Sequence, residues 1–366
     1  MTTPREPLTL IVPPPLTGLR VDTALAALLR NHSAARLLRA VRAGRVQINE
    51  LTAERTDRVR SGDVLRVRLV ESPDQLIPSD PGPLRWLFRD AWCGVLAKPA
   101  GVLVHPTGPH QRETIANRVQ SELDQQTRQR GLLRPGIVHR LDRETSGCLL
   151  LAFDHVAHRA LQQQFENGRV DKSYLALVAG CMQTRTFVCD EPIGRHPGGG
   201  VKMATGPLAL AARPARTEGR VVARLPSATL VRVHPETGRN HQIRVHLASL
   251  GHPLLGDELY GGTDIARETP DAIAAARQQR RLATQHRHAL HAERLRVRHP
   301  ISGAPLDVTC PVPTDFRELI TSEQEAASVS PIDVDLQFPN ELRRADGVHD
   351  PTEDGDGDGR VDRGRS

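Results

Sequence analysis

Apolar residues in this chain come in short blocks, each closed by glycine, proline or a charged cluster, and the spacing within a block names its element. Across 20–29 the apolar groups fall at helical spacing, and Ser33 is placed to cap a second helix that carries Leu38 and Val41 and stops at Gly44. Arg45 to Asn49 and Val64 to Leu69 alternate as strands, the second entered through a Gly62-Asp63 turn. After the segment Leu84 to Asp90, the stretches 94–101 and 102–106 read as two strands joined by a Pro-Ala-Gly turn, and 114–129 as a helix on Ile115, Val119 and Leu123. The run 148–153 (Cys-Leu-Leu-Leu-Ala-Phe) is uniformly apolar, the pattern of a buried strand. A helix over 155–166 follows, with Val156, Leu161 and Phe165 inward, then strands at 172–180, 220–225 and 228–233. An amphipathic segment after the turn at Gly238, and a final hairpin from 290–292 and 299–303, complete the pattern.

One polar segment meets this pattern at its most apolar point. His139-Arg-Leu-Asp-Arg-Glu-Thr-Ser-Gly147 runs directly into the 148–153 strand, bringing two arginines, two acids and a histidine to the edge of the sheet. Half-buried charges must be paired or they are very costly. Asp142, between Arg140 and Arg143, is therefore a candidate for a carboxylate kept ionised at neutral pH, as nucleophile, general base or ion-pair partner. Tyr174 reads from the pattern alone as a core residue with a satisfied hydroxyl. His241, His246, His252, His286, His288 and His291 raise the question of a metal. His241 and His246 stand five apart, on different faces of a helix or strand, with no carboxylate or cysteine at ligand spacing, so a metal is not expected.

Composition sharpens the class of partner. At 366 residues the chain is long enough for two domains, and 38% hydrophobic residues suffice for a core. The formal charge is +6, while 332–366 carries ten acids against five arginines, so the body is more basic than the total. A basic body with an acidic tail is the asymmetry of a nucleic-acid binder. Between Leu19 and Leu69 stand eleven arginines and five acids, and Arg36, Arg39 and Arg42 share a helix face that Arg45 extends; RNA contact is expected there. Five widely spaced cysteines without a C-x-x-C pair argue for a reducing, cytoplasmic setting, and no apolar run is long enough to span a bilayer. The Asp354-Gly-Asp-Gly-Asp-Gly359 run lacks the twelfth-position Glu of a calcium loop, where Arg365 stands instead.

Two resemblances follow. The order of a helix, a Ser-x-x-Arg helix, a G-x-V-x-I-N strand and a Gly-Asp turn before a last strand is similar to the small α-L RNA-binding domain named after ribosomal protein S-four. HRLDRETSG, then Lys172-Ser-Tyr-x-Ala-x-Val-x-Gly180, then Thr237-Gly-Arg-x-His-Gln-Ile-Arg-Val-His246 resembles the RluA-type RNA pseudouridine synthases, with Lys98–Gly101, Gly256-Asp257, Leu290–Ala292 and His299-Pro300 at further family positions. The resemblance implies an α+β fold, a mixed and largely antiparallel central sheet with flanking helices. It divides the chain into an N-terminal extension (1–18), the α-L domain (19–72), a proline-rich linker (73–83), the catalytic domain (84–320) and an acidic disordered tail (321–366).

The same resemblance implies that Asp142 is the catalytic aspartate, that Tyr174 packs against the flipped base and assists proton transfer, and that Arg244 pairs with Asp142. Arg140 would fill the space the uridine leaves, and Ile243 would wall the pocket; Lys172, on the face of Tyr174, is expected to contact RNA. The reaction is an isomerisation of uridine in structured RNA, which demands no cofactor, most simply in large-subunit ribosomal RNA with transfer RNA as the alternative, by a monomer. Whether the carboxylate attacks C1′, adds to the base or removes a sugar proton stays open. A non-catalytic RNA chaperone has no need of an arginine-flanked aspartate, and a glycosidase calls for a second carboxylate. The chain departs from the family where Ala215-Arg-Thr217 is followed by Glu218-Gly219, and in its glycine-rich 197–200 loop.

Overall fold

The computed structural model of the chain describes residues 7–30, 32–68, 77–126, 135–263 and 287–325. His286 and the calcium-like run at 354–359 lie outside them.

The first module joins β1 (Leu8–Ile11), α1 (Val21–Leu28), α2 (Ala34–Arg42), β2 (Val46–Ile48), β3 (Leu51–Thr52) and β4 (Val64–Val67) into two helices over a sheet of order β1-β4-β2-β3. Helical spacing puts Val21, Ala24 and Leu25 of α1 and Leu37, Ala40 and Val41 of α2 on inner faces, where they share one core with Val46, Leu65 and Val67. Ser33 caps α2 through the N–H of Arg36. The stretch expected as an extension to residue 18 is part of this module. Leu8–Ile11 pairs antiparallel along β4, and Val12 is buried, because β4 would otherwise present an unpaired edge.

The second region is built on a ten-stranded sheet with the main order β10-β14-β15-β9-β16-β8-β6-β5. In chain order its elements are β5 (Trp86–Arg89), β6 (Cys93–Lys98), α3 (Ile115–Gln126), β7 (Gly136–Ile137), β8 (Ser146–Ala152), α4 (His155–Glu166), β9 (Asp171–Ala179) and β10 (Thr186–Cys189). A small satellite sheet of β11 (Ile193–Arg195), β12 (Met203–Ala204) and β13 (Leu210–Arg213) intervenes before β14 (Thr217–Arg224), β15 (Ala228–Pro235) and α5 (Gln242–Ser249). The hairpin β16 (Leu290–Arg298) and β17 (Pro305–Thr309) leads to α6 (Thr314–Glu325). Among the described residues every strand pair is antiparallel except β16 with β8. This is the α+β fold with a mixed, largely antiparallel sheet. No helix among the described residues is long and apolar enough to cross a membrane.

Several local expectations change. Residues 102–106 form no strand: the Leu103 and Val104 carbonyls instead accept the first N–H groups of α3, which a helix cannot satisfy internally. In α4 the inner face is Ala157 and Leu161, and Val156 is exposed. The polar segment 139–147 enters at the end of an inner strand, β8, rather than at a sheet edge. Residues 78–83 are fastened to α3, Asn117 Nδ2 donating to the Pro78 carbonyl and the Asp80 N–H to the Asn117 carbonyl. The region expected as tail from 321 begins later, since α6 continues to Glu325 and buries Glu323, which accepts from the N–H and hydroxyl of Ser227. Residues 326–366 lie outside the described part.

The parallel contact of β8 with β16 sets a severe local requirement. Gly147 lies opposite Ala292 at φ +121°, and a Cβ there would stand 2.2 Å from the Ala292 carbonyl oxygen. Both the backbone angle and the space exclude a side chain. Gly147→Ala should therefore lose at least about 2 kcal/mol of stability in urea unfolding, since backbone rather than a flexible side chain must move. An unchanged midpoint would contradict this packing.

Candidate active site

The segment before β8 is pinned on every side before it offers anything to a ligand. His139 is an acceptor: burial pulls its imidazole down to about 3, its Nε2 takes the Leu150 N–H at 2.9 Å, and its ring stacks on Phe165. Lys98, almost wholly buried, donates to the carbonyls of Pro99 and Arg143 at 2.7 and 2.9 Å. The next three residues are tied to the chain entering β16. Thr145 Oγ1 meets His288 Nε2 at 2.8 Å, Ser146 Oγ meets His291 Nδ1 at 2.9 Å, and Gly147 abuts Ala292. His291 Nε2 faces the Cys310 carbonyl, so it donates there and its Nδ1 accepts from the Ser146 hydroxyl. These ties leave Asp142 held by its backbone, with its side chain turned to the cleft.

The opposite wall comes from α5, which is buried on all sides rather than amphipathic, and its polar groups are bonded in place. Gln242 uses four bonds: its oxygen accepts from Thr237 Oγ1 and the Arg239 N–H, and its amide donates to the Arg216 carbonyl and Thr217 Oγ1. His246 bonds Thr217 Oγ1 and the Glu191 carbonyl, well away from His241. On the inner turn of α5, Arg244 donates Nε and Nη2 to Asp257 at 2.7 and 2.8 Å and Nη1 to Asp142 Oδ2 at 3.1 Å. A guanidinium gripped on one edge by a buried carboxylate can aim its remaining nitrogen at only one point.

The resulting cleft has a volume of about 860 Å³. Burial tends to raise the Asp142 carboxyl, but His241, Arg244 and His288 together with the Arg244 hydrogen bond outweigh it and hold the group below the ordinary carboxylate value. Burial keeps both imidazoles uncharged at neutral pH, pulling His288 down to about 4 and His241 below its usual value. The fixed cation responsible is therefore Arg244. Burial and the Asp142 charge push the Tyr174 phenol up, so it stays protonated, and among the described residues its hydroxyl has no hydrogen-bond partner.

Of the residues singled out from the sequence, Asp142, Tyr174, Arg244, Arg140, Lys172 and Ile243 all line this one cleft. Arg140 is exposed at its mouth with no ion-pair partner among the described residues. Lys172 donates to the Thr237 carbonyl at 3.2 Å, and burial lowers its ammonium to about 8. Arg36, Arg39, Arg42 and Arg45 are elsewhere, around a separate hollow on the first module that Arg68 completes. Three participants were missed. Asp257 was marked at a Gly-Asp family position and His241 within the 237–246 motif, but neither was given a role at the site, and Tyr260 carried no signal beyond residue type. At the departure noted for 218–219, Gly219 lies under the Phe187 ring, where a Cβ would come within 2.2 Å, so β10 supplies an aromatic ring where residue 219 has no room for one. Asp90, Cys93 and His299 form a metal-like grouping, but Asp90 is engaged by the N–H groups of Trp92 and Cys93 and by His299 Nε2 in closing a turn.

Comparison with known proteins converges on the same region. The family profile described as RNA pseudouridylate synthase matches residues 94–249, which include Asp142, Tyr174 and Arg244. The chain is 38% identical over 312 residues to ribosomal large subunit pseudouridine synthase D of Nitrosomonas europaea, covering 85% of this chain and 86% of that one. It is 36% identical to the protein of the same name from Xanthomonas campestris, covering 86% and 92%. Among solved structures, human RNA pseudouridylate synthase domain containing 4 aligns over 66% of this chain and 93% of its own, at 26% identity and a TM-score of 0.52.

Breaking the grip on Arg244 tests the geometry. Asp257→Asn removes one charge of a buried pair and should cost about 3 kcal/mol in denaturant unfolding. It should also lower the rate of any reaction at Asp142 by about a hundredfold while leaving nucleic-acid affinity unchanged. A variant with parental rate would show that Asp257 does not aim Arg244.

Proposed function

The chain belongs to the RNA pseudouridylate synthase family, and on that premise we propose that it isomerises specific uridines of large-subunit ribosomal RNA, with Asp142 as the reacting carboxylate. Family membership makes it an enzyme, an RNA pseudouridine synthase. The choice of ribosomal RNA rests on the relatives from Nitrosomonas europaea and Xanthomonas campestris, both named for the large ribosomal subunit. The choice of Asp142 rests on one observation above the others: a carboxylate in a cleft, with one oxygen held by Arg244 and the other without a partner among the described residues.

The reaction breaks the bond from ribose C1′ to uracil N1 and rejoins the base through C5, with a proton leaving C5 and one arriving at N1. A carboxylate ionised at neutral pH suits each of the three openings, attack at C1′, addition to the base or removal of a sugar proton. The base must first leave its stack, at a cost of a few kcal/mol. Arg140, exposed and without an ion-pair partner among the described residues, is a planar cation that can occupy the gap and stack. Tyr174 offers a ring against the flipped base and a protonated hydroxyl, and Ile243 an apolar wall. Lys172 beside the cleft, and the first module with Arg36, Arg39, Arg42, Arg45 and Arg68, would bind phosphates. That module would then act as an α-L RNA-binding domain. We place the enzyme in the cytoplasm as a monomer; widely spaced cysteines without a C-x-x-C pair support a reducing setting.

Two measurements follow. Carbodiimide mapping of large-subunit RNA treated with the parent protein should reveal new pseudouridine, and Asp142→Asn should bind the RNA yet leave none; equal modification by the variant overturns the assignment. Replacing Arg36, Arg39 and Arg42 by Gln should weaken RNA binding and flatten its salt dependence by about 2–3 in log–log slope, close to one unit per lost phosphate contact. An unchanged slope would remove this face from the interface.

A further inference from the structure

His241 holds a backbone conformation that only tertiary contacts can maintain. It sits at φ +55°, ψ +20° as the N-cap of α5, left-handed for a residue with a side chain. Such positions cluster where the surroundings fix a side chain for use. Here the surroundings are identifiable. His241 Nδ1 lies 3.0 Å from the Tyr260 hydroxyl, which in turn accepts the Met203 N–H at 2.9 Å from the satellite sheet. The Tyr260 ring is clasped by Arg244, whose guanidinium carbon stands 5.1 Å from the ring centroid.

These contacts settle a tautomer. Burial pushes the Tyr260 phenol up to about 12, so it is protonated. Among the described residues the hydroxyl meets only the Met203 N–H and His241 Nδ1, so its hydrogen is assigned to Nδ1. Nε2 therefore carries the imidazole proton, and Nε2 points at Asp142, 4.0 Å from Oδ2. That separation is too long for a hydrogen bond. It is the kind of gap that closes when a substrate completes a site. Arg244 also reaches Oδ2, so both donors converge on one oxygen of the carboxylate.

We propose that His241 is a positioning residue for Asp142: its Nε2–H closes on Oδ2 as the target base enters, so that Arg244 and His241 together fasten one oxygen and leave Oδ1 to react. The inference rests on Asp142 being the reacting carboxylate. The charges facing His241 are Asp142 and Asp257, which favour its protonation, and Arg244 and Arg140, which oppose it alongside burial, the largest influence. It works as a neutral donor, with Tyr260 as the group that keeps its proton on the useful nitrogen.

The test is single-turnover pseudouridine formation on a transcribed large-subunit RNA fragment, run across pH and paired with binding of the same RNA. His241→Ala should slow the rate about ten- to hundredfold, the value of a hydrogen bond to a charged group, with affinity within about twofold. The acid limb of the rate should move to higher pH, because an N–H donor that favours the ionised Asp142 carboxylate is gone. His241→Gln should recover part of the rate through its amide N–H. Tyr260→Phe, which preserves the ring, should show a smaller loss and a shift in the same direction. A parental rate and limb in His241→Ala, or a loss lying wholly in RNA affinity, would overturn the proposal. Should His241→Ala melt early by circular dichroism, a parental rate in Tyr260→Phe overturns it instead. Asp142→Asn run alongside separates the two readings. If it retains activity, the assignment of Asp142 has failed; if it is inert while the His241 and Tyr260 variants are parental, only the role of His241 has.

Discussion

A single arginine fork carries the logic of this cleft. Arg244 is buried between two carboxylates, one fully enclosed and one facing the cleft, and it has enough donors to serve both. Burying three charges is costly unless each is paired in good geometry. The two-point bond to Asp257 fixes the plane of the guanidinium, which leaves Nη1 no choice of direction. Asp142 is thereby kept ionised in a place where burial alone would raise its pKa. A lysine could offer the charge but not the plane.

Everything around the fork reads as a means of keeping its two partners still. Asp142 stands in a segment anchored by His139 at one end and by the Thr145, Ser146 and Gly147 contacts with the β16 chain at the other. Arg244 stands on a helix whose entry is fixed by the four bonds of Gln242. The two walls are joined through the sheet by β9, β15 and β16, whose paired residues Tyr174, Val233 and Ala292 lie side by side beneath the cleft. Preorganisation of this kind is what allows a charge to act without first rearranging its surroundings.

The sequence made the elements legible where local chemistry decides them: the Ser33 cap, the alternating 172–180 strand, the uniformly apolar run after Gly147. It also drew the cleft residues together, because long motifs with fixed spacing carried them as groups. Failures came where distant partners decide. Residues 102–106 open on three apolar residues and read like a strand, yet the Leu103 and Val104 carbonyls were needed by α3. Leu8–Ile11 was lost because the need of β4 for an edge partner is invisible in a short run closed by prolines on both sides. Asp257 looked like a turn residue, since nothing in Gly-Asp announces that its carboxylate faces an arginine thirteen positions earlier. The left-handed backbone of His241 is likewise set by Tyr260 and α5, not by its neighbours in sequence.

The central claim, that Arg244 holds Asp142 as a carboxylate poised for reaction, can be read directly from the proton. Carbon-13 labelling of aspartate, with the Asp142 carboxyl resonance identified by its loss in Asp142→Asn, allows the group to be titrated in the folded protein. In the parent it should titrate below the ordinary value for aspartate, and in Arg244→Gln the midpoint should rise as burial prevails. An Asp142 that titrates at or above the ordinary value in the parent, or one indifferent to Arg244, would contradict this account.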